Sequence, residues 1–240
     1  LDRQELGGAF DRKRRDSGAI MVGGGVPVDA TTAPTSNYGS RIDVQGYGLG
    51  VATLGYGDLS GFGDPLRAYT LSFSGTSAAT PCVTGVAAIV QATLKANGQA
   101  PLGCLLLRAV LAGTGTPDGS LKNRPVGPRP NADAAARGLA DPTVPLLTGV
   151  KFVKKRDELI VDGVYFVGAG APPELQSVVY VNDQPVETVP EPGYTGPNGT
   201  STRLVARGVD ALLVKGELAF IAVGTIEGPL SPRRVYVRKK

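Results

Sequence analysis

Histidine is absent from all 240 residues, which excludes from this chain any catalytic triad that needs an imidazole and any zinc site built on His. Cysteine is scarce. Cys82 and Cys104 are the only two; they are too few for a disulfide scaffold and leave the redox compartment open. Tryptophan is missing as well, so the Cys and Trp pair of true antibody domains cannot be formed. No run of 18 apolar residues occurs, and no membrane span is expected. Charge of one sign does not dominate either. The formal net charge is +4, with 13 basic against 11 acidic residues up to Pro142 and 12 against 10 after it. The short basic runs Arg12-Lys13-Arg14-Arg15, Lys154-Lys155-Arg156 and Arg238-Lys239-Lys240 lack an accompanying aromatic stacking motif, so they read as solvated surface and no nucleic-acid partner is expected.

What is present suits a soluble globular protein of two domains. Hydrophobic residues make up 42% and charged residues 19%, enough apolar material for a packed core. Glycine and proline together reach about 22%, which favours many turns and short elements over a helical bundle. A composition shift over residues 138–148, with Pro142 and Pro145 between an alanine-rich helix and β-type sequence, reads as a linker. It divides the chain into domains of residues 1–141 and 142–240. Leu1 follows neither a start methionine nor an apolar leader, so the chain reads as a piece of a longer product with any export signal upstream. The charged stretch from Asp2 to Asp16 reads as an exposed loop open to cleavage.

In the first part, short strands are expected at 19–23, 41–45 and 51–54, separated by glycine turns. Three helices follow. The first runs from Gly75-Thr76-Ser77 to about Lys95, apolar on most sides with Thr76, Thr80, Thr84, Gln91 and Lys95 as a polar stripe, so a central and mostly buried helix is expected. The second covers 104–112, and the third opens on Asn131 as N-cap and ends at Gly138. Strands followed by helices across glycine-rich crossovers indicate an α/β layer fold. After the linker, period-two segments at 150–153, 159–161, 164–167, 178–181, 203–205, 218–223 and 234–237 indicate a β-sandwich of immunoglobulin type.

Chemistry concentrates at Ser72-Phe73-Ser74-Gly75-Thr76-Ser77-Ala78-Ala79-Thr80-Pro81. A serine in the first turn of an apolar helix sits where unpaired N–H groups and the positive end of the helix dipole converge, so an oxyanion forming beside Ser77 meets the residue's own N–H. Gly75 lets other atoms approach, and Pro81, lacking an N–H, cannot bond the Ser77 carbonyl. Taken alone, Gly-Thr-Ser reads first as only a helix start, since Ser and Thr are common N-caps.

The stretch Gly75 to Pro81, followed by Val83 and Gly85-Val86-Ala87-Ala88, closely resembles the nucleophile motif of the subtilisin-like serine proteases, the subtilases. Asp16-Ser17-Gly18-Ala19-Ile20-Met21-Val22-Gly23-Gly24, then Ser36 to Gly46, Gly113-Thr114-Gly115-Thr116-Pro117 and Pro130-Asn131-Ala132-Asp133-Ala134-Ala135 are similar to the family's segments in the family's order. The similarity covers about residues 16–137. It implies the C-terminal part of a subtilisin-like parallel-sheet domain and peptide-bond hydrolysis through an acyl-enzyme. Ser77 is the implied nucleophile, with Gly75 and Thr76 in the nucleophile loop, and the triad order is Asp, His, Ser. Only the serine is here. The Asp, the His and the oxyanion Asn are implied to lie in sequence outside this chain, so the chain alone is expected to be inactive. The implied partners are a protein or peptide substrate and the N-terminal part of the same peptidase, in an extracellular or cell-envelope setting. Cys82 replaces a histidine that is not the family's catalytic one and reads as a packing residue, with no bond to Cys104 expected across about 20 Å of helix. Calcium stays open as a cofactor because subtilases often bind it in surface loops. Asp43, Asp58 and Asp64 invite that role but lack the alternating ligand pattern of a dedicated loop. Asn198-Gly199-Thr200 fits a glycosylation sequon. Residues 159–166 and 178–183 resemble the immunoglobulin-like modules called IPT or TIG domains, which act as spacers or partner-binding modules. The rival to a peptidase is an inactive subtilase-derived scaffold whose β-domain binds a protein or surface partner.

Overall fold

The computed structural model describes the chain except residues 2–6, 13, 62, 121–123, 141–143, 168–175, 195–200, 225–230, 232–233 and 238–240. The glycosylation sequon, Lys13 and the C-terminal basic run therefore lie outside the described residues. Two compact units divide the chain, one of Leu1–Val90 with Gly103–Ala135 and the other of Gln91–Leu102 with Ala136–Lys240.

The first unit mixes helix and sheet. Strands β1 (Val22–Gly25) and β2 (Val44–Tyr47) pair in parallel, with Val22 opposite Val44 and Gly24 opposite Gly46. Both start about three residues later than the sequence pattern suggests, although the Asp43 N–H still donates to the Met21 carbonyl at 2.9 Å. Strand β3 (Val51–Leu54) runs antiparallel to β4 (Tyr69–Phe73), the latter not anticipated from the sequence. Helices α1 (Thr76–Ala96), α2 (Cys104–Gly113) and α3 (Ala132–Ala140) fall where expected within two residues. Asn131 caps α3 by accepting the Ala134 N–H at 3.0 Å. Ile42, Val44, Ala79, Val83, Val90, Val110, Leu111 and Val126 form the buried interior of this unit.

Helix α1 departs from expectation. It is not mostly buried: Ala78, Ala79, Val83, Val90 and Leu94 are covered, whereas Pro81, Gly85, Ala88, Ile89 and Ala92 are exposed, Ile89 at 47%. Its 18-residue window of mean hydropathy 1.3 is long and apolar enough to cross a membrane by length and composition, and only 28% of that window is buried. The apolar residues that surround the helix in sequence imply cover on two sides. Among the described residues of the first unit, that cover exists on one.

A partly buried ion cluster ties the starts of β1 and β2 to α2. Asp43 accepts from Arg41 Nη1 at 2.9 Å and from the Met21 N–H at 2.7 Å, and it also bonds Arg12. Asp16 takes Arg108 bidentately, Nη1 to Oδ1 at 2.8 Å and Nη2 to Oδ2 at 2.5 Å, and accepts the Gly18 N–H. Arg108 Nε lies 3.7 Å from Asp43 Oδ1, closing the cluster. Hydrogen bonds from Arg108 and then Gly18 hold the Asp16 carboxyl well below the usual carboxylate range, against the opposing effect of burial.

The second unit carries two four-stranded antiparallel sheets. One is ordered β5 (Leu146–Val153), β6 (Glu158–Phe166), β10 (Ser201–Arg207), β9 (Thr188–Pro190). The other is ordered β12 (Arg234–Val237), β11 (Leu218–Gly224), β7 (Val178–Val181), β8 (Gln184–Val186). Leu159, Val161, Phe166 and Leu204 of the first and Val179, Val181, Ile221 and Val223 of the second share one core. Two expected strands at 159–161 and 164–167 are one strand, β6. Strands β8 and β9 are additional, each three residues long with a proline that weakens its sequence signal. Buried Tyr165 donates its hydroxyl to Gln99 Oε1 and to the Leu139 carbonyl, so the β-domain is bonded to the segment after α1 and to α3.

Two outcomes follow from this packing. Val90→Asp, at a site with no exposure, should unfold the first unit through an unpaired buried charge that costs about 4 kcal/mol, whereas Ile89→Asp should leave the melting transition of the dilute chain nearly unchanged. Equal loss for both, by circular dichroism, would mean that α1 is covered on both sides. For Asp16 the folded pKa is depressed, so its stabilisation is complete above the ordinary value of 3.8 and is lost as pH falls below it. Urea titrations between pH 6 and pH 2.5 should show a drop in midpoint below about pH 4 that Asp16→Asn flattens; an unchanged drop would remove Asp16 from the acid response.

Candidate active site

The turn before α1 is built by one conformational requirement and three backbone bonds. Gly75 sits at φ +97°, in the region that favours glycine. From there its carbonyl accepts the N–H groups of Ala78 at 3.1 Å and Ala79 at 3.3 Å, while its own N–H donates to the Gly48 carbonyl at 2.7 Å. The turn is thus closed on the helix side and tied to the end of β2. Thr80 Oγ1 donates back to the Thr76 carbonyl at 2.9 Å, and Thr84 to Thr80 at 3.0 Å, so two hydroxyls of the polar stripe are used within the helix.

Ser77 stands out by what it does not use. It is exposed, and neither its Oγ nor its N–H has a hydrogen-bond partner among the described residues. Pro81 lies inside α1 and offers no N–H to the Ser77 carbonyl. A free hydroxyl beside a free N–H at the positive end of a 21-residue helix is the arrangement that acyl transfer requires of a nucleophile and its first oxyanion donor. Thr76 is exposed beside it and Gly75 half-buried.

The carboxylates with a prospective calcium role go to separate partners. Asp43 belongs to the ion cluster. Asp58 accepts the Leu71 N–H at 3.1 Å, and bonds from the Thr70 hydroxyl and then Leu71 lower its pKa. Asp64 caps a short helical turn at the Leu66 N–H, 2.9 Å away. Among the described residues no group of three or more His, Cys, Asp or Glu side chains is placed to hold a metal. Both cysteines are free; Cys82 is half-buried with its thiol 3.3 Å from the Ala78 carbonyl, and Cys104 is exposed. A cleft of about 130 Å³ lined by Gln45, Gly46, Tyr47, Cys82, Val83 and Val86 lies along the buried flank of α1 and does not include Ser77.

Sequence reading missed the strand side of this site. Gly46 and Gly48, on and just after β2, bring backbone against backbone: an ideal Cβ on Gly46 would stand 2.2 Å from the Ala79 carbonyl oxygen, and one on Gly48 would stand 2.8 Å from Gly24 Cα. The signal was available, since a glycine inside a strand often marks close approach of another backbone.

Comparison with curated proteins returned no match. Among solved structures, fervidolysin from Fervidobacterium pennivorans, a keratinolytic enzyme related to subtilisin, is 18% identical with a TM-score of 0.38, over 92% of this chain and 34% of that one. The spore cortex lytic enzyme SleM of Clostridium perfringens is 21% identical with a TM-score of 0.26, over 53% of this chain and 37% of that one. The chain thus spans about a third of the length of either protein. The model of the subtilase family matches residues 11–124, a little under half of the chain, and that stretch carries the parallel strand pair, the glycine turn and Ser77. It is over these residues that the chain is similar to the subtilases.

Proposed function

We propose that this chain is the C-terminal part of a subtilisin-type serine endopeptidase, with Ser77 as nucleophile and its Asp, His and oxyanion Asn supplied by the N-terminal part of the same peptidase. The observation that supports this most is Ser77 itself, exposed and unbonded at the start of α1 after a left-handed Gly75. In the complete site the Ser77 hydroxyl attacks the scissile carbonyl as its proton passes to the histidine. The oxyanion is held by the Ser77 N–H and the asparagine. Collapse breaks the C–N bond with return of the proton to the leaving amine, and water then releases the acyl group by the same route.

The N-terminal part would also cover the exposed face of α1 around Ile89. The two-sheet unit is then an immunoglobulin-like module appended to the peptidase, in a domain division at 141–142. Its role is that of a spacer or of a module that binds a partner at the cell surface. The setting is extracellular or the cell envelope, the substrate is a protein or peptide, and calcium stays open as a cofactor. A second reading is favoured by the complete lack of histidine: an inactive scaffold derived from a subtilase, with the β-module as its binding part.

A fluorophosphonate probe separates the two. The chain alone should not be labelled, because Ser77 has no imidazole to take its proton, and labelling should appear on Ser77 once the upstream polypeptide is present and vanish in Ser77→Ala. An upstream polypeptide without an Asp, His and Asn in the family's motifs, or continued absence of labelling in the assembled protein, would favour the scaffold. Rapid stoichiometric labelling of the chain alone would contradict both.

A further inference from the structure

We infer that Gly46 and Gly48 are positioning residues for Ser77: they seat the first turn of α1 directly on the backbone of β2, so that the strand rather than the surrounding side chains fixes where the nucleophile stands. The catalytic consequence rests on the peptidase reading above. The seat itself does not.

Gly46 pairs with Gly24 across the parallel ladder. A Cβ there would lie 2.2 Å from the Ala79 oxygen and 2.8 Å from both Ala79 C and Ala79 Cα. All three obstructing atoms are backbone, which cannot rotate away as a side chain would. Ala79 is fully buried and follows Ser77 by two residues in a turn already closed by two N–H bonds to Gly75. A methyl group at position 46 therefore has to displace that turn as a body, by roughly 1 Å, a shift of the size that costs about 10²-fold when it misplaces a reacting group. The second tie is the Gly75 N–H to the Gly48 carbonyl at 2.7 Å, immediately before Thr76 and Ser77. Gly48 in turn lies against Gly24, again backbone to backbone, at 2.8 Å for an ideal Cβ. Strands β1 and β2 and the start of α1 thereby meet through main-chain contacts.

Gly119 supplies the control. Its ideal Cβ would stand 2.1 Å from the Asp29 carbonyl oxygen, an equally tight backbone contact, with Asp29 and Ala30 as its neighbours and no residue of α1 among them. In ¹⁵N spectra of the isolated chain, Gly46→Ala should move the Ser77 and Ala78 amide resonances, whereas Gly119→Ala should leave them in place although it destabilises the fold comparably. Unmoved Ser77 and Ala78 resonances in folded Gly46→Ala would overturn the seat. In the chain assembled with its upstream polypeptide, Gly46→Ala should lower kcat for a peptide substrate by about 10²-fold with KM within about a factor of two. A kcat loss no larger than that of Gly119→Ala would overturn the positioning role. If the wild-type assembly shows no peptidase activity while the resonances shift as expected, the peptidase reading fails and the seat stands.

Discussion

Everything at the site depends on the contact between β2 and the first turn of α1, where two backbones meet with no side chain between them. Gly46 makes room for the Ala79 carbonyl, and Gly48 accepts the Gly75 N–H. Gly75, at positive φ, turns the chain so that the helix begins there and nowhere else. Contacts of this kind leave almost no slack, because close-packed backbone has one arrangement rather than several. The ion cluster below the strands serves the same end. By joining Asp43 at the start of β2 to Met21 before β1 and to Arg108 of α2, it fixes the strands on which the helix is seated.

Helix α1 is where the structure leaves apolar surface uncovered. A helix apolar on nearly all sides has to be covered on nearly all sides, yet Ile89 and its small neighbours Gly85, Ala88 and Ala92 face outward. Two observations, the lack of histidine and the uncovered face of α1, support the proposed upstream segment. Under that proposal the exposed Ser77 is a nucleophile awaiting its base.

The sequence made the helices legible because their signals are local. Asn131 announced a cap, Gly113 a stop, and Gly75-Thr76-Ser77 a start, and the structure places all three within two residues. The turn before α1 was equally readable, since Gly, Ser and Pro each act through their own backbone properties. The extent of burial of α1 was not legible: apolar character shows what a helix needs covered, and only the neighbours show whether it is. The strand side of the site was half visible, as Gly46 inside Val44–Tyr47 hinted at close approach without naming Ala79 as the neighbour. The bonds from Tyr165 to Gln99 and Leu139 join residues 26 or more apart in sequence, and no periodicity reports such pairs. Strand β6 was read as two because Gly163 interrupts its apolar run, although in the fold that glycine gives way to the Phe166 ring.

The central proposal is that the glycine turn before α1 presents Ser77 as a nucleophile and that another polypeptide covers the outer face of α1. Light scattering with parallel thermal unfolding across a hundredfold dilution tests it most directly. The account predicts self-association at the higher concentrations and a melting temperature that falls on dilution, as an uncovered apolar face requires. A monodisperse monomer with a cooperative, concentration-independent transition would contradict it and make the chain a self-sufficient scaffold.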